Sequence, residues 1–240
     1  MAKDYLIDVC IPTLNEEKYI YKTLDALSQQ TLYKQGKVNI IVGDYPSEGT
    51  ARTRLIVDQF KDAKFVEIFK RGIGYARNVT IRSGKAPLVV NFDADCHYNR
   101  DDALELLSKP LMPREDGGPS VKLTHCDIVL DENKKNPNDT NNLADKIFTM
   151  ASLVYRMAPI SMGPCLMFNR DAFELIGGFK EFPQNIPGED WEFVFRLCQN
   201  FSMRAKQWVR DVEVIASPRR HKNMLIDPFA LDYSRQYRED

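Results

Sequence analysis

The sequence predicts an α/β fold with a Rossmann-like, mostly parallel central sheet flanked by helices, and three observations carry that prediction. Short apolar runs alternate with helical patterns through residues 1–100, the signature of βαβ units. One of those runs, Leu88-Val89-Val90-Asn91-Phe92, reads as a buried strand and ends in two carboxylates one residue apart, Asp93 and Asp95, where an open sheet places its ligands. The chain's 240 residues, 43% of them hydrophobic, are enough to bury the core of one large domain.

Residues 5–11 open as the first strand. Thr13-Leu14-Asn15-Glu16 then has the form of a capping box, in which a Thr hydroxyl and a Glu carboxylate satisfy backbone N–H groups at a helix start. Ile20, Leu24 and Leu27 follow at helical spacing, so a helix is predicted over 15–30. The second strand is 38–42, and after the turn 43–47 a helix carrying Leu55, Ile56 and Phe60 leads to a strand over 64–69. A loop and helix over 71–83 is broken at Gly84, and strand 87–92 delivers the two acids.

Beyond Cys96 the rhythm loosens. A short helix is predicted over 101–107, a Pro/Gly-rich surface segment over 110–119, one or two strands over 121–130, and an exposed Asn-rich loop over 131–142. Helices follow over 143–157, 170–176 and 189–199, with a strand over 163–168 and a helix stop at Gly177-Gly178. No internal repeat or linker divides the chain, so residues 1–240 are expected to form a single domain.

Composition excludes several classes. Lys plus Arg total 33 against 34 for Asp plus Glu, so no global field drives binding to nucleic acid or an acidic bilayer, and any anion site must be local. The five cysteines (Cys10, Cys96, Cys126, Cys165, Cys198) contain no Cys-x-x-Cys pair and fit neither a disulfide framework nor a zinc knuckle. A reducing, cytoplasmic compartment is the simpler reading. The N-terminus lacks a basic-then-apolar signal, and no run reaches the roughly 18 apolar residues of a membrane span, so a soluble chain is expected.

The acids at the end of strand 87–92 suit a divalent cation bound together with a phosphorylated substrate, because paired hard oxygens neutralise clustered phosphate charge. Arg71-Gly72-Ile73-Gly74-Tyr75-Ala76-Arg77 invites a dinucleotide-binding reading, but Arg77 stands where the third glycine belongs and the segment does not follow the first strand. Its glycines can instead bring backbone N–H groups close to phosphate, with Arg71 or Arg77 adding charge-assisted hydrogen bonds.

Five segments in register resemble family 2 glycosyltransferases of the GT-A fold: Ile11-Pro12-Thr13-Leu14-Asn15-Glu16-Glu17, Ile40-Ile41-Val42-Gly43-Asp44, Arg71 to Asn78, Asp93-Ala94-Asp95, and Gly188-Glu189-Asp190-Trp191-Glu192 preceded by Gly177-Gly178-Phe179. The likeness spans residues 8–220. It implies a nucleotide-sugar-binding half at about 1–100 and an acceptor-binding half at about 101–240.

By that resemblance Asp95 is the direct ligand of a Mn²⁺ or Mg²⁺ ion, and Asp93 meets the ribose or a metal-bound water, with Ala94 between them. Asp44 is the base-reading acid; the family's first acid here is Gly43, and Tyr45-Pro46 replaces the usual Gly-Ser turn. Pro12, Thr13, Leu14 and Glu16 form the opposite wall of the base site, while Arg71, Arg77 and Asn78 belong to the phosphate side. Asp190 is the catalytic base and Trp191 an apolar platform for a sugar ring. His221, after Arg219-Arg220, completes the metal site, and His97 is a further candidate ligand. The bland readings are a helix cap for Thr13 and Glu16, a solvated turn for Asp93 and Asp95, and first-turn acids on a helix dipole for Glu189 and Asp190.

The resemblance therefore implies a metal-dependent inverting transferase moving one sugar from a UDP- or GDP-sugar to a hydroxyl acceptor. Gln207-Trp208 is not the Gln-x-x-Arg-Trp motif of the family's processive members. The acceptor stays open among a glycan, a protein and a lipid-linked sugar, the last of which would bring peripheral membrane contact. Two other classes are weighed beside it: a phosphohydrolase of the haloacid dehalogenase type, which also places Asp-x-Asp after a strand, and a non-catalytic nucleotide-sugar-binding module. Loop 131–142 is expected to act as a lid that orders over bound donor.

Overall fold

Strand parity organises the core. The computed structural model describes residues 3–113, 121–131, 154, 156–182 and 188–217. In β1 (Ile7–Thr13), Ile7, Val9 and Ile11 face one side of the sheet and Cys10 the other, and β2 (Val38–Asp44) and β4 (Leu88–Asn91) divide their apolar residues the same way. Every residue of β1 and β4 is buried, as strands covered on both faces require. On the first face pack Ile20, Leu24 and Leu27 of α1 (Ile20–Ser28), Leu32 of α2 (Thr31–Lys34), Ile56 and Val57 of α3 (Thr50–Val57), and Leu104 and Leu107 of α5 (Ala103–Ser108). On the second pack Ile81 of α4 (Ile73–Arg82), Phe173 of α6 (Arg170–Leu175), and Phe193, Val194 and Leu197 of α7 (Glu189–Phe201).

Among the described residues the sheet has eight strands, in the order β3-β2-β1-β4-β7-β6-β8-β5. β1, β2, β3 (Ala63–Glu67) and β4 run parallel, and β7 (Leu166–Asn169) joins antiparallel to β4. β6 (Leu123–Leu130) is antiparallel to β7 and parallel to β8 (Lys206–Ala216), with a register break between His125 and Asp127. β5 (Cys96–Tyr98) closes the order, antiparallel to β8. The mixed, mostly parallel α/β architecture expected from the sequence is thus observed, with antiparallel pairing entering at β7.

One clamp joins the two halves. Asp8 is buried on the second face of β1 and accepts from Arg170 Nη2 at 2.7 Å, Asn39 Nδ2 at 2.7 Å and the Ala86 amide at 2.8 Å. Gly84 passes so close that a Cβ there would lie 2.1 Å from Asp8 Oδ2. Beside it Phe168, Phe173, Phe179 and Phe193 form a ring cluster with centroids 4.3–6.3 Å apart, each ring contributing about 2–3 kcal/mol by burial.

Several expectations need correction. Thr13 is not a helix cap: it is the last residue of β1, paired with Asp44, and α1 starts at Ile20 after a turn in which Asn15 takes φ 57°. Glu16 offers its carbonyl, which accepts from the Tyr19 and Ile20 amides at 2.9 and 3.0 Å. Leu55 lies on the exposed side of α3 and Phe60 beyond its end. Residues 163–165 form a 3₁₀ turn rather than strand, β6 is a single strand, and β5 and β8 were not anticipated. β8 carried a signal in its buried Val212, Val214 and Ala216, two residues apart. Loop 132–142 and helix 143–153 lie outside the described residues, so the lid expectation is not addressed by them.

Candidate active site

The carboxyl ends of β1, β2 and β4 converge on one cleft, as open parallel sheets dictate. It holds about 630 Å³ of space open to solvent. One wall is Pro12, Thr13, Leu14 and Glu16 from the end of β1 and the following turn; the other is Tyr45, Ile68, Lys70 and Arg71. Gly72, Ile73 and Ala76 at the start of α4, with Asp93 and Ala94, complete the lining. Gly72 has φ 134°, a conformation that favours glycine, and it turns the chain into α4.

Asp44 ends β2 but does not present a free carboxylate. It is fully buried, Oδ1 accepting from Thr13 Oγ1 at 2.7 Å and Oδ2 from Thr50 Oγ1 at 2.6 Å. Burial pushes its pKa up, and the two hydroxyls oppose the rise. The carboxylate expected to read a base is thus covered by Thr13 and Thr50, and Pro12 to Leu14 and Tyr45 line the cleft beside it. The missing first acid also has a structural reason: a Cβ at Gly43 would lie 2.1 Å from Thr80 Oγ1 on α4.

Asp93 and Asp95 follow β4, and their carboxylates lie with Cys96 Sγ within 4.8 Å of one another. Both acids are partly exposed, whereas Cys96 is buried among core residues and its thiol lies 3.7 Å from Asp95 Oδ1. Two convergent hard oxygen donors fit Mg²⁺ or Mn²⁺; a soft, buried thiol does not add to that set. His97 is outside this group. It alternates with Cys96 and Tyr98 along β5, so its side chain leaves the opposite face of the strand. Ala94 is buried, and its carbonyl accepts from Thr23 Oγ1 at 2.7 Å, which fixes the acidic turn to α1.

The two arginines part company. Arg71 lines the cleft with its guanidinium 5.3 Å from the Tyr45 ring centre. Arg77 is 3% exposed and lies beneath the lining: Nη1 donates to Glu189 Oε1, Nη2 lies 3.9 Å from Asp93 Oδ1, and the group sits 5.3 Å from the Phe179 ring centre. Asn78 likewise faces protein, donating to the Phe179 carbonyl and accepting its amide, both at 2.8 Å.

Asp190 begins α7. Its Oδ2 accepts from the Gly163 amide at 2.7 Å and its Oδ1 from the Trp191 amide at 2.8 Å. Its pKa is pushed up to about 6 by burial above all, with Arg77 pulling down and Glu189 pushing up. A carboxyl poised near neutrality can accept a proton and pass it on. Trp191 is 46% exposed beside it. His221 and Arg219-Arg220 lie outside the described residues. Sequence reasoning missed Gly163, Asn91 and Glu189 as partners of this site; only Glu189 carried a signal, as an acid in a helix first turn.

Comparison with known proteins follows the same lines. The family model described as glycosyl transferase family 2 matches residues 8–177. A mannosyltransferase from Pyrobaculum calidifontis, solved in complex with GDP-Man and Mn²⁺, is 25% identical with a TM-score of 0.63 over 89% of this chain and 57% of its own. TarS from S. aureus, in complex with UDP-GlcNAc, is 18% identical with a TM-score of 0.63 over 88% of this chain and 58% of its own, a likeness of fold. The chain thus spans well under two thirds of either protein. No curated protein sequence matches it.

Proposed function

The chain belongs to glycosyltransferase family 2, and on that premise we propose that it transfers a single sugar from a nucleoside diphosphate sugar to a hydroxyl acceptor, with inversion and with a divalent cation. The observation that supports the reading is a cleft lined by Asp93 and Ala94, with a second acid site tied to Asp93 through buried contacts. Asp93 and Asp95 follow β4, and Arg77 lies between Asp93 and Glu189, the neighbour in the first turn of α7 of Asp190, whose pKa is about 6. The donor's base and ribose would occupy the cleft between Pro12-Thr13-Leu14 and Tyr45, with Arg71 toward the diphosphate.

Asp190 accepts the proton of the acceptor hydroxyl as that oxygen forms its bond to the anomeric carbon. The bond from that carbon to the diphosphate oxygen breaks on the opposite face, and the nucleoside diphosphate leaves with the bonding pair. A single displacement of this kind inverts the anomeric centre, and it needs one carboxylate base and no covalent enzyme intermediate. Asp95 and Asp93 would hold a Mn²⁺ or Mg²⁺ ion, which would supply charge neutralisation of the departing diphosphate. Donor-side and acceptor-side strands among the described residues share one sheet, which supports a single domain. The similar mannosyltransferase, solved with GDP-Man and Mn²⁺, supports donor class and cation.

The family match sets aside the haloacid dehalogenase reading, which rested on Asp-x-Asp alone. The remaining test is direct: UDP- and GDP-sugars are incubated with the protein, with Mn²⁺, Mg²⁺ or chelator, and nucleotide diphosphate release is measured. Release that depends on the cation, with product of opposite anomeric configuration by NMR, is expected. Donor binding with no release under any acceptor would instead make the chain a binding module.

A further inference from the structure

We infer that Arg77 is a positioning residue, one that holds the proton-accepting Asp190 in register with the cation-side Asp93 without itself touching the donor. The inference rests on the sugar-transfer reading and extends it.

The contacts close a circuit. From Asp93, Arg77 Nη2 lies 3.9 Å from Oδ1; Nη1 of the same guanidinium donates to Glu189, the neighbour of Asp190 in the first turn of α7. Asp190 Oδ2 accepts from the Gly163 amide at 2.7 Å, and the Gly163 carbonyl accepts from Asn91 Nδ2 at 2.9 Å. Asn91 ends β4, two residues before Asp93, so the path returns to its start. Gly163 also makes room for the guanidinium: a Cβ there would lie 2.4 Å from Arg77 Nη2. Asn78, next along α4, pairs both ways with the Phe179 backbone and fixes the helix that carries Arg77.

A buried arginine in such a place is poorly suited to meet a diphosphate and well suited to hold two carboxylates. Its planar fork reaches both at once, whereas a lysine ammonium serves as a single point of charge. Among the described residues, the charged groups that act on Asp190 are Arg77 from α4 and Glu189 from its own helix; the 3₁₀ turn packed against it contributes the neutral Gly163 amide.

The test uses the full chain with Mn²⁺ and whichever nucleotide sugar the parent turns over. Arg77→Gln removes the positive charge and moves the acidic limb of kcat upward from about 6; Glu189→Gln removes the opposing negative charge and moves it downward. Both lower kcat by about 100-fold, the cost of a displaced reacting group. Donor KM stays within about threefold, since neither residue binds donor. Limbs that do not move in either variant make Arg77 a packing residue, and a donor KM that rises in step with the loss makes it a phosphate ligand; each result overturns the inference. If Arg77→Gln does not fold, the limb of Glu189→Gln decides alone. A parent with no turnover defeats the sugar-transfer reading instead, a result distinct from an active parent whose variants keep its limb.

Discussion

Replacing Asp190 with Asn should abolish transfer and stabilise the fold at the same time. In the native protein the Asp190 pKa is raised from 3.8 to about 6, so folding favours its protonated form. A group raised in this direction costs no stability below the unfolded value; the cost grows as pH rises from 3.8 and is complete above about 6. Two pK units at about 1.4 kcal/mol each give a penalty of about 3 kcal/mol at pH 8. Asn carries no charge and escapes it. Its amide can replace only one of the two oxygens that accept from Gly163 and Trp191, at a cost of about 1 kcal/mol. The net is a gain of about 2 kcal/mol at pH 8, falling toward a small loss at pH 4. Urea unfolding at the two pH values measures the difference, and turnover measures the loss of the base, worth about 10²–10⁴ in rate. In the parent, kcat should rise with pH through about 6, because the ionised carboxylate is the active form. An Asn variant less stable than the parent at pH 8, or a parent with no acidic limb near 6, would refute the electrostatic reasoning.

Three further outcomes follow from the geometry. Asp95→Asn should raise the Mn²⁺ concentration needed for half-maximal donor turnover by about 10-fold or more, with partial recovery at high Mn²⁺; an unchanged cation response would move the site elsewhere. Arg170→Ala leaves the Asp8 carboxylate buried without its ion pair and should cost about 3–5 kcal/mol in denaturant unfolding, and a change under 1 kcal/mol would refute the clamp. Gly43→Asp, which restores the family's first acid, should lower thermal stability because its Cβ meets Thr80 Oγ1; adding Thr80→Gly should recover part of the loss, and a failure to recover any would locate the strain elsewhere.

Much of the first half was legible because its signals are local. β1, β2 and β4 are mainly apolar runs bounded by breakers, and the acids Asp93 and Asp95 follow β4 directly in sequence. Asp190 was singled out by the family resemblance, since an acid in the first turn of an amphipathic helix reads locally as capping. The capping box misled because the same Thr hydroxyl had a second partner. Asp44, 31 residues away, draws Thr13 into the sheet, and a hydrogen bond to a buried carboxylate outweighs a cap on the protein's surface.

The sequence by itself determined the alternation of elements, the faces they bury and the positions of Asp93, Asp95 and Asp190, because periodicity and strand ends are properties of neighbouring residues. Tertiary structure alone decided what the polar residues between them face: Asp44 toward Thr13 and Thr50, Asn78 toward Phe179, Arg77 toward Glu189 across 112 residues, and Asp8 toward Arg170 across 162. The physical reason is that a buried charge must find a partner wherever packing brings one, and burial is set by the whole sheet rather than by the segment that carries the charge.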